Sequence, residues 1–183
     1  VDTYFNPLIK QLTKFYKADS IEPIEFYGNC YNGNADLFTT MSYLPHVDTF
    51  PGADKDINPL NDYAFNLNVT KSDKVKTAFY SFNGKKSVCD WTPDDYDDHD
   101  RVRDRHKKIK AKDWRLLSSE NFQNYQLEYV ANIEYNSLIL YPSHYWHSVY
   151  IKEDWFTDTD RVTFTGFFET KTTSSKTKKL GFG

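Results

Sequence analysis

The hydrophobic positions between residues 4 and 17 are spaced as in an amphipathic helix. They recur at intervals of one, three or four residues: Phe5, Leu8, Ile9, Leu12, Phe15 and Tyr16. At 3.6 residues per turn these side chains share one face of a helix, and the polar residues between them lie on the other. The segment is therefore predicted to form a helix whose apolar face packs on the rest of the fold.

From Ile21 onward, short β-prone runs alternate with turn-forming residues. Eight runs are predicted as strands: Glu25–Tyr27, Leu37–Tyr43, Tyr63–Val69, Lys76–Phe82, Gln126–Tyr129, Ser137–Tyr141, His147–Ile151 and Arg161–Thr170. Asn83-Gly84 is a two-residue hairpin signal. It predicts that the strand ending at Phe82 turns back into a partner strand over Lys85–Cys89. About eight strands after one helix predict a mainly β fold, a double-stranded β-helix of the jelly-roll or cupin-like type.

Residues 90–115 interrupt this pattern with charge. Asp90 to Asp100 is acidic and Arg101 to Arg115 is mostly basic, with no β alternation in either half. The block is predicted to be a solvated insertion, partly helical over about Val102 to Trp114. It is either a charged surface loop or a lid over a binding site. The polar tail after Thr170 is predicted to be flexible.

Length and charge narrow the class of protein. At 183 residues the chain is the size of one domain with a buried core, so residues 1–183 are predicted to form a single domain. A net charge of -3 gives no electrostatic reason to expect nucleic acid as a partner, although the basic run Arg101–Lys112 points the other way. No apolar run approaches the roughly 18 residues that span a bilayer, and two cysteines are too few for a disulfide framework. These features predict a cytoplasmic protein without a membrane partner.

Three residues have the types and the spacing of a metal site. His46 and Asp48 are two apart, so on a strand both side chains leave the same face. Of the two downstream histidines, His147 is the better third ligand, because it begins the apolar strand while His144 sits in the preceding turn. Two imidazoles and one carboxylate are the facial triad of non-haem Fe(II) oxygenases. A surface ion pair between His46 and Asp48, with His147 as a core residue, is the alternative.

The strand predicted at residues 161–168 carries a second candidate site. One face has Arg161, Thr163 and Thr165, and the other has Val162, Phe164 and Phe168. An Arg on such a strand is costly to bury unless it meets an anion. Its planar fork suits a carboxylate bidentately, and the Thr163 hydroxyl can add a donor. A protein carboxylate, Glu134 or Asp160, is the alternative partner.

Two motifs resemble those that hold the metal in prolyl-4-hydroxylase-type 2-oxoglutarate oxygenases. The string Tyr43-x-Pro-His46-x-Asp48 is similar to the first metal motif of that family. The string Asn136-Ser-Leu-Ile-Leu-Tyr-Pro-Ser-x-x-x-His147 resembles the second, in which a Pro-Ser turn precedes the distal histidine. Arg-x-Thr at 161–163 matches the family's Arg-x-Ser/Thr pair. The resemblance covers about residues 25–170 in order and spacing, with the charged block as its departure.

The resemblance implies the cofactors and the reaction. Fe(II) would be bound by the two histidines and the aspartate, and 2-oxoglutarate would chelate it through the 2-oxo acid. The distal carboxylate would lie on Arg161 and Thr163, with Tyr43 lining the same pocket, and Asn66 and Asn68 are further candidate pocket residues. With O2 the cosubstrate would yield succinate and CO2 as the substrate is hydroxylated. That substrate is expected to be a peptidyl proline, another protein side chain or a small molecule.

Two other classes of protein share part of this pattern. A cupin-type metalloenzyme that does not use 2-oxoglutarate would keep the metal triad and give Arg161 a structural partner. A non-enzymatic β-sandwich binding module would use its aromatic residues as a ligand surface and hold no metal tightly. Succinate formation separates the first class from an oxygenase, and metal analysis separates the second.

Overall fold

A computed structural model describes residues 2–31, 45–48, 62–106, 124–152 and 155–171. Within them lie two helices, seven strands and one 3-10 turn: α1 Asp2–Tyr16, β1 Ser20–Tyr31, β2 Asp62–Asn68, β3 Lys76–Phe82, the 3-10 turn Val88–Asp90, α2 Pro93–His106, β4 Tyr125–Asn132, β5 Leu138–Pro142, β6 His147–Val149 and β7 Arg161–Lys171. None of the helices in these ranges is long and apolar enough to cross a bilayer.

The strands form two antiparallel sheets. The larger sheet has the order β1-β7-β2-β5 and the smaller one the order β4-β3-β6. Every paired strand runs antiparallel to its neighbour. The prediction of a mainly β fold is therefore confirmed, and the arrangement is consistent with a β-sandwich.

The outer face of the larger sheet is apolar and is covered by α1. The cluster joins helix and sheet residues: Ile9, Leu12, Ile21, Phe65 and Phe168. Gly166 lies opposite Phe65 in the β2–β7 register, and a Cβ there would stand 2.4 Å from the Phe65 ring. Glycine at this position thus makes room for the ring. The predicted N-terminal helix is confirmed, and its spacing of apolar residues produces this contact.

The inner face of the same sheet is polar. Arg161, Thr163 and Thr165 alternate along β7 and are all buried. In the register, Tyr31 stands beside Arg161 on one neighbouring strand, and Asn66 stands beside Thr165 on the other. Buried polar side chains are costly unless something hydrogen-bonds to them. Beside these residues, the space between the two sheets is therefore a polar cavity.

The other side of the smaller sheet packs on α2. Three side chains of that helix, Asp95, His99 and Val102, are buried at helical spacing. The ring of His99 lies 5.8 Å from Phe82 and 5.1 Å from Trp146, measured between centroids. The described part of the block at 90–115 is largely helical, and these three side chains are buried although a solvated insertion was predicted. The helix begins at Pro93, nine residues before the expected Val102.

Hydrogen bonds between Thr92 and Asp95 explain where α2 begins. The Thr92 hydroxyl and the Thr92 N–H both donate to the Asp95 carboxylate, at 2.6 and 2.7 Å. Thr92 thus stands before Pro93, the residue best suited to the first helical position. Burial tends to raise the pKa of Asp95, but hydrogen bonds from Lys85, Thr92 and Asn83 outweigh it and hold that pKa well below its usual range.

The remaining predicted elements had mixed outcomes. The Asn83-Gly84 turn is confirmed: both residues have positive φ, 49° and 77°, and the main chains of Phe82 and Lys85 exchange two hydrogen bonds. A strand over Lys85–Cys89 is wrong, because the chain enters the 3-10 turn at Val88.

Several predictions fall on other parts of the chain. The strand Leu37–Tyr43, residues 107–115 and the tail beyond 171 lie outside the described residues. The single-domain organisation over residues 1–183 stays a prediction.

Candidate metal centre

The main chain brings His46 and His147 side by side. The N–H of each donates to the carbonyl of the other, at 2.8 and 2.9 Å, as one antiparallel bridge. Two residues on, the Asp48 N–H donates to the Ser143 carbonyl at 2.9 Å. The segment 45–48 is thereby fixed along the turn that leads into β6. Residues about a hundred positions apart in sequence share one small area of the fold.

The side chains of these residues converge. Nε2 of His147 lies 3.4 Å from Oδ2 of Asp48, and Nε2 of His46 lies 3.8 Å from Oδ1. One ligand atom from each of the three lies within 4.8 Å of the others. The imidazole centroids are 4.5 Å apart. The structure thus places together the three residues predicted as ligands, and their role in metal binding stays a prediction.

His147 presents an unprotonated nitrogen to this cluster. Its Nδ1 is 2.9 Å from the Tyr145 carbonyl, so Nδ1–H is the donor and the Nε2 lone pair points toward Asp48. Burial lowers the pKa of His147 to about 4, against the hydrogen bond to Tyr145. The ring is therefore neutral at neutral pH, which is the state that binds metals.

The Asp48 carboxylate is largely buried, and within the described residues its charge is not fully compensated. Burial raises its pKa to about 6, and His46 lowers it in opposition. Its Oδ2 makes no hydrogen bond within the described residues. Because His147 is neutral, the 3.4 Å contact between them is not an ion pair. A carboxylate in this position is expensive unless a cation joins it.

His144, the competing histidine, is buried in the turn before β6. Its carbonyl accepts a hydrogen bond from Val88 N–H at 3.2 Å. Within the described part of the chain, its side chain does not belong to the group that could share an ion with Asp48. The geometry thus agrees with the choice of His147 over His144.

The three side chains open into a cavity of about 250 Å³ between the two sheets. Arg161 lines the same cavity and is only 2% exposed. Its Nη1 donates to the Thr163 hydroxyl at 3.3 Å, while Nε and Nη2 have no hydrogen-bond partner within the described residues. In that part of the chain, neither Glu134 nor Asp160 forms an ion pair with it.

Arg161 therefore remains a buried cation. Burial lowers its pKa to about 10, and the phenols of Tyr31 and Tyr141 act in the opposite direction. The guanidinium is still protonated at neutral pH. With two donor groups unmatched, an anion in the cavity is the simplest compensation for its burial.

Tyr141 is a cavity residue that the sequence analysis did not single out. Its ring centroid lies 4.6 Å from that of His147. Burial raises the pKa of its phenol well above the usual range, the Asp48 carboxylate raises it further, and the Arg161 guanidinium lowers it. The hydroxyl thus lies in the fields of both charged groups. The alternation Ile139, Tyr141 along a buried strand was the available signal, since both side chains turn to the cavity side of β5.

Of the other residues predicted to line the pocket, one does so, one does not and one lies outside the described residues. Asn66 lines the cavity, and its Oδ1 has no hydrogen-bond partner among the described residues. Asn68 does not line it: its Nδ2 donates to the Ile133 carbonyl and its Oδ1 accepts from Thr70 N–H. That part of the prediction is wrong, because strand alternation alone cannot tell a cavity from a network of buried hydrogen bonds. Tyr43 lies outside the described residues.

Neither a family model nor a curated protein matches the sequence. Among solved structures, the chain is similar to an N-substituted L-amino acid dioxygenase from Burkholderia ambifaria AMMD in complex with alpha-KG, with 11% identity, a TM-score of 0.47, and coverage of 87% of this chain and 57% of that one. A second structure of such a dioxygenase from the same organism shares 12% identity with the chain at a TM-score of 0.46. The match covers 91% of this chain and 64% of that one. The chain thus spans less than two thirds of their length.

Proposed function

We propose that the protein is an Fe(II)- and 2-oxoglutarate-dependent dioxygenase. It hydroxylates a protein side chain, as a prolyl hydroxylase does, or a small molecule, and releases succinate and CO2. One observation carries the proposal: a single cavity contains an uncompensated buried carboxylate beside two imidazoles and an uncompensated buried guanidinium. Under this proposal the two sheets form a double-stranded β-helix with the cavity between them.

The residues present fit a divalent cation. His46, Asp48 and His147 would hold it, since two nitrogens and one carboxylate leave room on the ion for further ligands. The unmatched Oδ2 of Asp48 and the neutral His147 are both in the state that such an ion needs. When bound, Fe(II) would supply the activation of O2 and the oxidation of cosubstrate and substrate.

The same cavity fits a keto diacid. Arg161 offers Nε and Nη2 to a carboxylate, and the Thr163 hydroxyl lies beside them. A ligand with a 2-oxo acid at one end and a carboxylate at the other would compensate both charged groups at once. 2-Oxoglutarate is the simplest such molecule, and a charge-assisted contact to Arg161 would fix its orientation.

The chain's own groups prepare the site for its ligands and indicate where substrate enters. The Tyr145 carbonyl holds the proton of His147 on Nδ1, so Nε2 stays available. The burial of Arg161 excludes water from its guanidinium, which strengthens a contact with an anion. His46 is the exposed member of the triad, with 48% of its side chain accessible. Substrate would therefore approach from the His46 side.

The test is a turnover assay on the purified protein. With Fe(II), ascorbate and 2-oxoglutarate, the protein should form succinate slowly, and a mass-spectrometric screen should find substrates that raise this rate. Asp48→Ala is the matched control and should form none. Metal binding without succinate formation would favour a cupin-type enzyme, and no metal binding would favour a non-enzymatic β-sandwich module.

A further inference from the structure

Thr70 lies just after β2 and contacts the start of β7. Its hydroxyl accepts a hydrogen bond from the Val162 N–H at 2.6 Å. The Val162 carbonyl, at 3.2 Å, and the Asp160 carbonyl, at 3.4 Å, are both within reach of the hydroxyl proton. These main-chain groups stand on the two sides of Arg161. One side chain thus holds the backbone both before and after the buried guanidinium.

The hydroxyl replaces a strand contact that is missing at this point. The ladder between β2 and β7 ends at the pair Asn68 and Thr163. Beyond it, Val69 N–H still donates to the Val162 carbonyl at 3.2 Å. The Val162 N–H is satisfied by the Thr70 side chain instead of by a strand carbonyl. Without that hydroxyl a part-buried donor would lose its partner.

Thr70 is itself rigidly placed. Its N–H donates to Oδ1 of Asn68 at 2.7 Å, and Nδ2 of Asn68 donates to the Ile133 carbonyl at 2.8 Å. The Asn68 side chain is fully buried, and its main chain also bonds to Ser137 and Asn136. Thr70 is therefore tied through Asn68 to the connection between β4 and β5. The start of β7 is thus linked through Thr70 and Asn68 to a buried, hydrogen-bonded part of the fold.

The guanidinium of Arg161 is held by few hydrogen bonds of its own. Within the described residues, only Nη1 has a hydrogen-bond partner, the hydroxyl of Thr163. The direction of Nε and Nη2 is thus set mainly by where the backbone places the side chain. An error of about 1 Å in the position of a binding group costs substantial affinity.

We propose that Thr70 is a positioning residue for the cosubstrate site. By fixing residues 160 and 162, it sets the direction in which Arg161 presents its unmatched donors to the cavity. The inference rests on the proposed function, because a cosubstrate carboxylate is the ligand expected on Arg161.

Two substitutions separate the hydroxyl from the volume of the side chain. Thr70→Val keeps the shape and removes the hydroxyl, and Thr70→Ser keeps the hydroxyl. Each protein is loaded with Mn(II) and titrated calorimetrically, without oxygen, with 2-oxoglutarate. A second titration uses 2-oxopentanoate, in which a methyl group replaces the distal carboxylate. Melting curves establish that each variant is folded at the titration temperature.

Thr70→Val should weaken 2-oxoglutarate binding about tenfold, since the lost hydrogen bond leaves the backbone beside Arg161 less defined. Thr70→Ser should stay within about threefold of wild type. The affinities for Mn(II) and for 2-oxopentanoate should not change in either variant, which a general loss of structure would not reproduce. If Thr70→Val does not fold, Thr70→Ala removes the same hydroxyl and carries the same expectation.

Three results would overturn the inference. If Thr70→Val binds 2-oxoglutarate as tightly as wild type does, Arg161 does not need this support, and the proposed function stands. An equal loss for 2-oxoglutarate and 2-oxopentanoate would show that Thr70 acts on the whole cavity. Failure of the wild-type protein itself to bind 2-oxoglutarate would overturn the proposed function together with the inference.

Discussion

His46 and His147 donate their main-chain N–H groups to each other's carbonyls, at 2.8 and 2.9 Å. This reciprocal bridge is what brings their imidazoles to a centroid separation of 4.5 Å. The histidines are thus aligned by backbone hydrogen bonds alone. A site whose ligands are already positioned loses less conformational entropy when it binds a metal.

Removal of His147 should abolish metal binding, while removal of His144 should not. Of these two histidines, only His147 places a ring nitrogen beside the Asp48 carboxylate within the described residues. Loss of one of three protein ligands should weaken Mn(II) binding by at least about 100-fold. Calorimetric titration of Mn(II) into His147→Ala and His144→Ala compares two neighbouring buried histidines. Equal losses in the two variants would contradict the assignment.

Asp48→Asn should stabilise the metal-free protein at pH 8. In the folded state the pKa of Asp48 is raised to about 6, above its ordinary value of 3.8. The folded protein therefore binds the Asp48 proton more tightly than the unfolded chain does. The stability that this provides is fully present below pH 4 and is lost as the pH rises through 6, so that the ionised carboxylate destabilises the fold above pH 6. Removing the charge should raise the free energy of unfolding by about 1–3 kcal/mol.

Denaturant titrations in the presence of a chelator measure this change. In titrations with Mn(II) in place of the chelator, the metal should stabilise wild type and leave Asp48→Asn nearly unaffected, because the variant lacks the carboxylate ligand. Lower stability of Asp48→Asn than of wild type at pH 8 would show that the carboxylate is compensated by something else in the protein.

The sequence was sufficient to single out the polar residues that the structure brings together. Arg161 alternates with apolar neighbours, so periodicity placed it on a defined face of β7. His46 and Asp48 were expected on a strand, but residues 45–48 form only an isolated bridge, between His46 and His147. The register that sets Tyr31 beside Arg161 could not be read, because it depends on which strands become neighbours. Tyr141 was missed although its alternation with Ile139 offered a signal, because the sequence does not show which face of that strand meets the cavity.

The charged block shows where periodicity fails. The buried face of α2 consists of Asp95, His99 and Val102, and only one of these residues is apolar. A search for hydrophobic spacing therefore finds no helix there. The Thr92-Pro93 start and Asp95 three positions after Thr92 did carry a helix-start signal. Tertiary contacts with Trp146 decide that a histidine can occupy a core position.

Arg161→Ala should weaken 2-oxoglutarate binding and leave metal binding nearly intact. The substitution removes a buried charge-assisted contact, which corresponds to about 2–4 kcal/mol, or roughly 30- to 1000-fold in affinity. Arg161→Lys should recover only part of the loss, because an ammonium group cannot reproduce the planar fork. Titration of 2-oxoglutarate into the Mn(II)-loaded proteins measures both effects. Equal affinity in wild type and Arg161→Ala would give Arg161 a structural role and favour a cupin-type enzyme.

The stability of the fold should fall between pH 6.5 and pH 4 because of His99. Burial lowers the pKa of His99 to about 4, Arg103 lowers it further, and Asp100 opposes both. The rings of Phe82, Trp91 and Trp146 surround the imidazole and offer no charge. The unfolded chain therefore binds the proton more tightly, and stability that is complete above pH 6.5 is lost as the pH falls through 4.

The matched variant is His99→Leu, which should lack this part of the pH dependence. Between pH 6.5 and pH 4, the unfolding free energy of wild type should fall further than that of His99→Leu, by at most about 3 kcal/mol. His147, whose pKa is also lowered to about 4, contributes a slope of the same sign that both proteins share. Denaturant titrations at half-unit pH steps measure the difference. Parallel curves for wild type and His99→Leu would mean that His99 accepts a proton in the folded state without cost, and that α2 does not bury it as tightly as its contacts with Trp146 indicate.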